Sequence, residues 1–106
     1  MLRHGRSAAL FVALKESPIT IYNSKEKDRV CGVILSYLSA DRVQIVMNGV
    51  RACGYLFQYL MNERQPIPQQ ILSPFVRVRI FQQIICKFIF VILYINNLLC
   101  NLSFSQ

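Results

Sequence analysis

A chain of 106 residues has room for one small domain, and 54% apolar with 16% charged residues excludes general disorder. So few charges solvate a small body poorly, which fits a helical slab that stacks on neighbours or a chain with a membrane segment. The formal charge of +7 at pH 7 points to acidic partners such as ribosomal RNA or anionic lipid, although the basic residues are scattered.

The first element is a helix over about Arg6 to Glu16, rich in the helix formers Ala and Leu. Leu10, Val12, Ala13 and Leu14 make it apolar enough that most of its circumference should be covered. Ser17-Pro18 ends it, because the residue before proline is pushed out of the helical region. Ile19 to Tyr22 reads as a connector, and Asn23 and Ser24 offer N-caps to a second helix from about Glu26 to Leu38. Val30, Val33, Ile34, Tyr37 and Leu38 share one face of that helix, and Gly32 is expected to let a neighbour approach.

Ser39 and Asp41 are the next capping residues, ahead of a third helix over Arg42 to about Met61. Its expected buried face is Val43, Val46, Met47, Val50, Cys53, Phe57 and Leu60, with Gly49 and Gly54 near the seam. Asn62 to Gln70, with Pro66 and Pro68, is a loop, and a short helix over about Gln69 to Phe75 is limited or bent by Pro74. The short turn between the second and third helices implies an antiparallel hairpin, the unit from which helical solenoids are stacked.

No CxxC pair occurs among Cys31, Cys53, Cys86 and Cys100, and none of them clusters with the single histidine, His4, so no metal site is expected. Reduced thiols buried in the helices of a cytosolic protein are the plain reading, in line with a basic, mixed N-terminus that lacks a signal-peptide pattern.

Three stretches carry a resemblance. Arg3-His4-Gly5-Arg6-Ser7-Ala8-Ala9-Leu10-Phe11-Val12-Ala13-Leu14-Lys15 resembles a segment near the C-terminal end of the general-control translational activator family, long HEAT-repeat scaffolds of the amino-acid starvation response. Ala40-Asp41-Arg42-Val43, with Gly49-Val50-Arg51 and Gly54-Tyr55-Leu56, is similar to the helix that follows there, and Ile71-Leu72-Ser73-Pro74-Phe75-Val76 to the start of the next element. The resemblance implies a role without chemistry. The family binds translating or stalled ribosomes, helps to activate the kinase that phosphorylates the α subunit of initiation factor two, and works with an ATP-binding-cassette partner. This chain has no phosphate-loop or dinucleotide motif, so no cofactor is expected.

Arg3, His4, Arg6, Arg42 and Arg51 are the candidate contacts to a ribosome or to neighbouring repeats. Basic side chains near a helix start bind phosphate, which is the functional reading of Arg3, His4 and Arg6. The structural reading has Gly5-Arg6-Ser7 open the helix, with Arg6 paired to an acid of the next repeat. Arg42 and Arg51 either line a basic groove or bridge repeats. A nucleophile formed by Ser7 or a cysteine with His4 lacks a third residue to orient the histidine, so the chain reads as no enzyme.

After Phe75 no acid, glycine or proline occurs, and Ile80 to Leu99 is nearly continuously apolar. About twenty helical residues span a bilayer, so the rival reading is a small tail-anchored membrane protein with a cytosolic helical head. Lys87, Asn96 and Asn97 within the span count against it. A third account treats the tail as non-native: codons for Val76-Arg77 read as GTAAGA would form a splice donor, making the remainder translated intron. The expectation is therefore an all-α chain with a HEAT-like antiparallel repeat fragment over 3–75 and a long apolar C-terminal helical tail over 76–106. It is read as a cytoplasmic scaffold fragment of translational control.

Overall fold

The computed structural model describes residues 2–105, and side chains from 5 to 102. Five helices follow in order: α1 (Leu2–Glu16), α2 (Pro18–Ile21), α3 (Lys27–Leu38), α4 (Val43–Asn62) and α5 (Gln69–Ser105). No strand occurs among the described residues. The chain divides into two compact units, Met1–Val76 and Arg77–Gln106.

In the first unit α4 is the central helix, packed against α1 and α3. Its contacts with α1 advance together: Ser7 meets Asn48, Phe11 meets Arg51 and Tyr55, and Lys15 meets Tyr55. The two helices therefore run in the same direction. Against α3 the order reverses across a tight turn, with the start of α4 beside the end of α3. A Cβ on Gly49 would lie 3.1 Å from Tyr37 Cβ and 3.3 Å from Leu38 Cδ2, so a side chain there would hold the hairpin apart. An antiparallel hairpin with a further helix parallel to its second member is the stacking unit of a helical solenoid, α1 standing where a preceding hairpin's second helix would stand. The fold is an all-α, HEAT-like repeat fragment with a long C-terminal helix.

The core consists of Leu14, Val30, Cys31, Ile34, Tyr37, Leu38, Ile45, Ala52, Cys53, Leu56, Phe57, Leu60 and Ile71. In α3 the expected face is buried save Val33, which is partly exposed, while Cys31 joins it. The buried face of α4 is rotated from the expected one: Ile45, Asn48, Gly49, Ala52 and Leu56 go inside with Cys53, Phe57 and Leu60, and Val43 is 77% exposed. Val46, Met47 and Val50 are intermediate. The reason is that α4 is covered on two sides, so small residues sit where helices come closest. In α1 only Ser7 and Leu14 are fully buried among the described side chains, and Val12 is exposed.

Several local expectations are corrected. The connector at Ile19 to Tyr22 contains a one-turn helix, α2, started by Pro18 at its first position. Gly32 and Gly54 face open space, with nothing within 4 Å of an added Cβ, and so have no role in close packing. Neither Asn23 nor Ser24 is the N-cap of α3: that residue is Glu26, with no side-chain cap bond, and Asn23 Oδ1 instead closes the preceding turn by accepting from the amides of Lys25 and Glu26 at 3.0 Å. Neither Ser39 nor Asp41 caps α4: its N-cap residue is Arg42, with extended backbone and no side-chain cap bond. Cys86 and Cys100 are exposed rather than buried.

Pro74 does not end the last element, since α5 continues through it. Proline removes one backbone bond, but the first turns of α5 are held by Ile71, fully buried, and by Phe75 set edge-on to Phe57 at 5.1 Å. In the second unit the large apolar residues from Ile80 to Leu102 are all between 42% and 77% exposed. Gln69–Leu102 is long and apolar enough to cross a membrane by length and composition, an 18-residue window of it reaching a mean hydropathy of 1.9.

Candidate interaction surface

The seam between α1 and α4 is built from inside outward. At its buried edge Asn48 Nδ2 donates to Ser7 Oγ at 3.0 Å, and both residues are at most 1% exposed. A polar pair between two helices fixes their register, because sliding either one would strand a buried amide at about 1–3 kcal/mol.

Further out, two stacked rings form a row with a cation at each end. Phe11 and Tyr55 stack with centroids 6.4 Å apart and planes 14° from parallel. The Arg51 guanidinium lies 5.5 Å from the Phe11 ring centroid, and Lys15 Nζ lies 5.9 Å from that of Tyr55. Helix geometry makes the row: Phe11 and Lys15 are one turn apart on α1, as are Arg51 and Tyr55 on α4. Each exposed cation–ring contact is worth about 0.5–1 kcal/mol. Both cations are exposed, both rings are half-buried, and among the described residues the one ion pair lies elsewhere, between Arg29 and Glu26 at 3.6 Å.

Of the residues singled out from sequence, Arg51 stands in this row. Arg42 is exposed at the start of α4, and the nine steps from it to Arg51 turn a helix through about 180°, so the two do not line one groove. Arg6 is exposed on α1, about 140° around the helix from Phe11. The side chains of Arg3 and His4 lie outside the described residues. Lys15, Phe11 and Tyr55 were not singled out from sequence. The available signal was an aromatic four residues before Lys15 and another four residues after Arg51, each repeated on one helix face.

A second polar cluster sits inside the hairpin. Burial pushes the Cys53 thiol from 9.0 up to about 12, with Cys31 nearby adding to the shift. Burial likewise raises Cys31, partly opposed by a hydrogen bond with Tyr22. Tyr22 is itself raised from 10.0 to about 12, first by burial and then by Cys31. Such thiols stay protonated and inert at neutral pH. Among the described residues no group of three or more His, Cys, Asp or Glu could hold a metal ion.

Against known proteins, the family described as stalled ribosome sensor GCN1-like, HEAT repeats, matches residues 1–87. The stalled ribosome sensor GCN1 of Mus musculus is 42% identical over 59 residues, 56% of this chain and 2% of that protein. Its Homo sapiens counterpart is 36% identical over 78 residues, 73% of this chain and 3% of that protein. The chain thus spans a few hundredths of the length of these relatives. No solved structure matches.

Proposed function

This chain belongs to the stalled ribosome sensor GCN1-like HEAT-repeat family, and we propose that it serves as a non-catalytic scaffold segment of a ribosome-associated translational regulator. The observation that carries the reading is the family match over residues 1–87. The parallel packing of α1 on α4 beside the α3–α4 hairpin supports it, because that is the geometry of one step in a helical stack. The relatives' name, stalled ribosome sensor, supplies the partner. Co-sedimentation of the full chain with ribosomes through a sucrose cushion tests this. The chain is expected in the pellet in proportion to ribosomes; recovery wholly in the supernatant at ribosome excess would contradict it.

The finer part of the proposal is activation of the kinase of initiation factor two α during amino-acid starvation, in the cytoplasm. It rests on the resemblance of Arg3 to Lys15 and of Ala40 to Leu56 to the general-control activator. Expression of the full chain in starved cells should change phosphorylation of the factor's α subunit. An unchanged level would remove this part and leave ribosome association standing.

The tail-anchor alternative is favoured only by the length and composition of Gln69–Leu102. The HEAT-repeat match continues to residue 87, into that same stretch, which weighs for a repeat helix instead. Alkaline carbonate extraction separates the two: retention of the full chain in the membrane pellet supports an anchor, release supports the scaffold.

A further inference from the structure

The α1–α4 seam presents Lys15, Tyr55, Phe11 and Arg51 as one row, with spacings of 5.9, 6.4 and 5.5 Å between successive members. We propose that this row is an RNA-backbone contact, in which Arg51 and Lys15 each take a phosphate and the two rings hold them in place. The proposal rests on the reading of the chain as a ribosome-associated segment and names the chemistry that segment would use.

Charge is the first argument. α4 contains no acidic residue, and α1 contains only Glu16, exposed and next to Lys15 in the chain. Arg51 and Lys15 are exposed and make no ion pair among the described residues, so a net positive field extends from the seam. Preorganisation is the second. A guanidinium resting on a ring keeps its edge N–H groups directed sideways, where their fork matches two phosphate oxygens. Side chains already restrained lose less freedom on binding.

The same geometry selects backbone over bases. Each ring already has a cation over one face and the other ring alongside it, which leaves little face on which a base can stack. Binding should therefore be independent of sequence. Phosphates repeat along a strand, so a row with a cation at each end meets charge in many registers. An acidic protein surface offers isolated carboxylates, and exposed pairs of that kind contribute little.

Fluorescence anisotropy of the full chain with a short labelled RNA of scrambled sequence tests the inference, run beside ribosome co-sedimentation. The double variant Lys15→Gln/Arg51→Gln should bind about tenfold or more weakly. Its log–log salt slope should fall by roughly 1 for each phosphate that is no longer neutralised. Lys25→Gln/Arg29→Gln removes the same charge away from the row and should bind within about twofold of the original chain. Arg51→Lys keeps the charge but loses the fork, and should bind severalfold more weakly, short of the loss in the double variant; thermal melting of every variant confirms that the fold persists. Equal losses in both double variants would overturn the inference in favour of net charge alone. Sedimentation with ribosomes but no binding of RNA would overturn it while leaving the ribosome reading intact, with an acidic ribosomal protein as the partner. Failure of both would remove the ribosome reading as well.

Discussion

The two units of this chain use apolar residues in opposite ways. In Met1–Val76 leucines and isoleucines such as Leu14, Ile34, Ile45, Leu56, Leu60 and Ile71 are at most 1% exposed, and the close approach at Gly49 and the Ser7–Asn48 bond set how the helices meet. In Arg77–Gln106 residues of the same types lie on one helix and are exposed around its circumference. Apolar content alone therefore does not make a core; it needs elements that cover one another, and the first unit supplies three.

The sharpest test of that contrast is truncation within each unit. Leu56→Ala should lower stability by about 2–5 kcal/mol, since it opens a cavity between α4 and its neighbours. Ile92→Ala, at a site 43% exposed, should change it by no more than about 0.5 kcal/mol. Denaturant melts of both variants check this, and a comparable loss at Ile92 would show that the second unit is covered in solution.

Alkaline pH should weaken the first unit. Cys53 is raised from 9.0 to about 12, and Cys31 and Tyr22 are raised too, chiefly by burial. The folded state therefore holds these protons more tightly than the unfolded state. Their contribution is complete below pH 9.0 and is lost as pH rises toward about 12. Stability measured by chemical denaturation should decline over that window, and Cys53→Ala should flatten the decline relative to neutral pH.

Glycines give a smaller contrast of sign. Gly49→Ala places a Cβ 3.1 Å from Tyr37 Cβ and 3.4 Å from the Leu38 backbone nitrogen, so it should destabilise by about 1 kcal/mol after the helix-propensity gain of alanine. Gly32→Ala meets nothing within 4 Å and should stabilise by about 0.5–1 kcal/mol. Thermal melts that moved in the same direction for both would break the account of how α3 approaches α4.

The sequence made the helical hairpin legible, because the apolar period of Val30, Ile34, Tyr37 and Leu38 is clean and the turn after Leu38 is short. It also pointed correctly to Gly49. The buried face of α4 was harder to read, since a helix covered on two sides places Asn48, Gly49 and Ala52 inside, and none of these stands out by hydrophobicity. Pro74, expected to limit or bend the last helix, does not limit it, since Ile71 and Phe75 anchor the turns on either side. Of the interaction row, Arg51 was visible as a basic residue. Its partnership with Phe11, on a helix forty residues away in sequence, depends on α1 lying parallel to α4.

The difference between the units also bears on the origin of the last thirty residues. The first unit ends at Val76, while the family match ends at residue 87. We propose a tail of different origin from 76 on the change of composition alone, since acids, glycines and prolines cease after Phe75, and against the family match, which runs on to residue 87. Codons for Val76-Arg77 that do not read GTAAG or GTGAG would remove the intron form of that proposal.

The most direct test of the central claim, a packed helical unit followed by an uncovered helix, uses the four cysteines, two in each unit. Pulsed thiol labelling of the native full chain, read by mass spectrometry, should modify Cys86 and Cys100 at the rate of a free thiol. Cys31 and Cys53, buried and held protonated, should react only through rare opening. Rapid labelling of Cys31 and Cys53, or protection of Cys86 and Cys100 equal to theirs, would contradict the account.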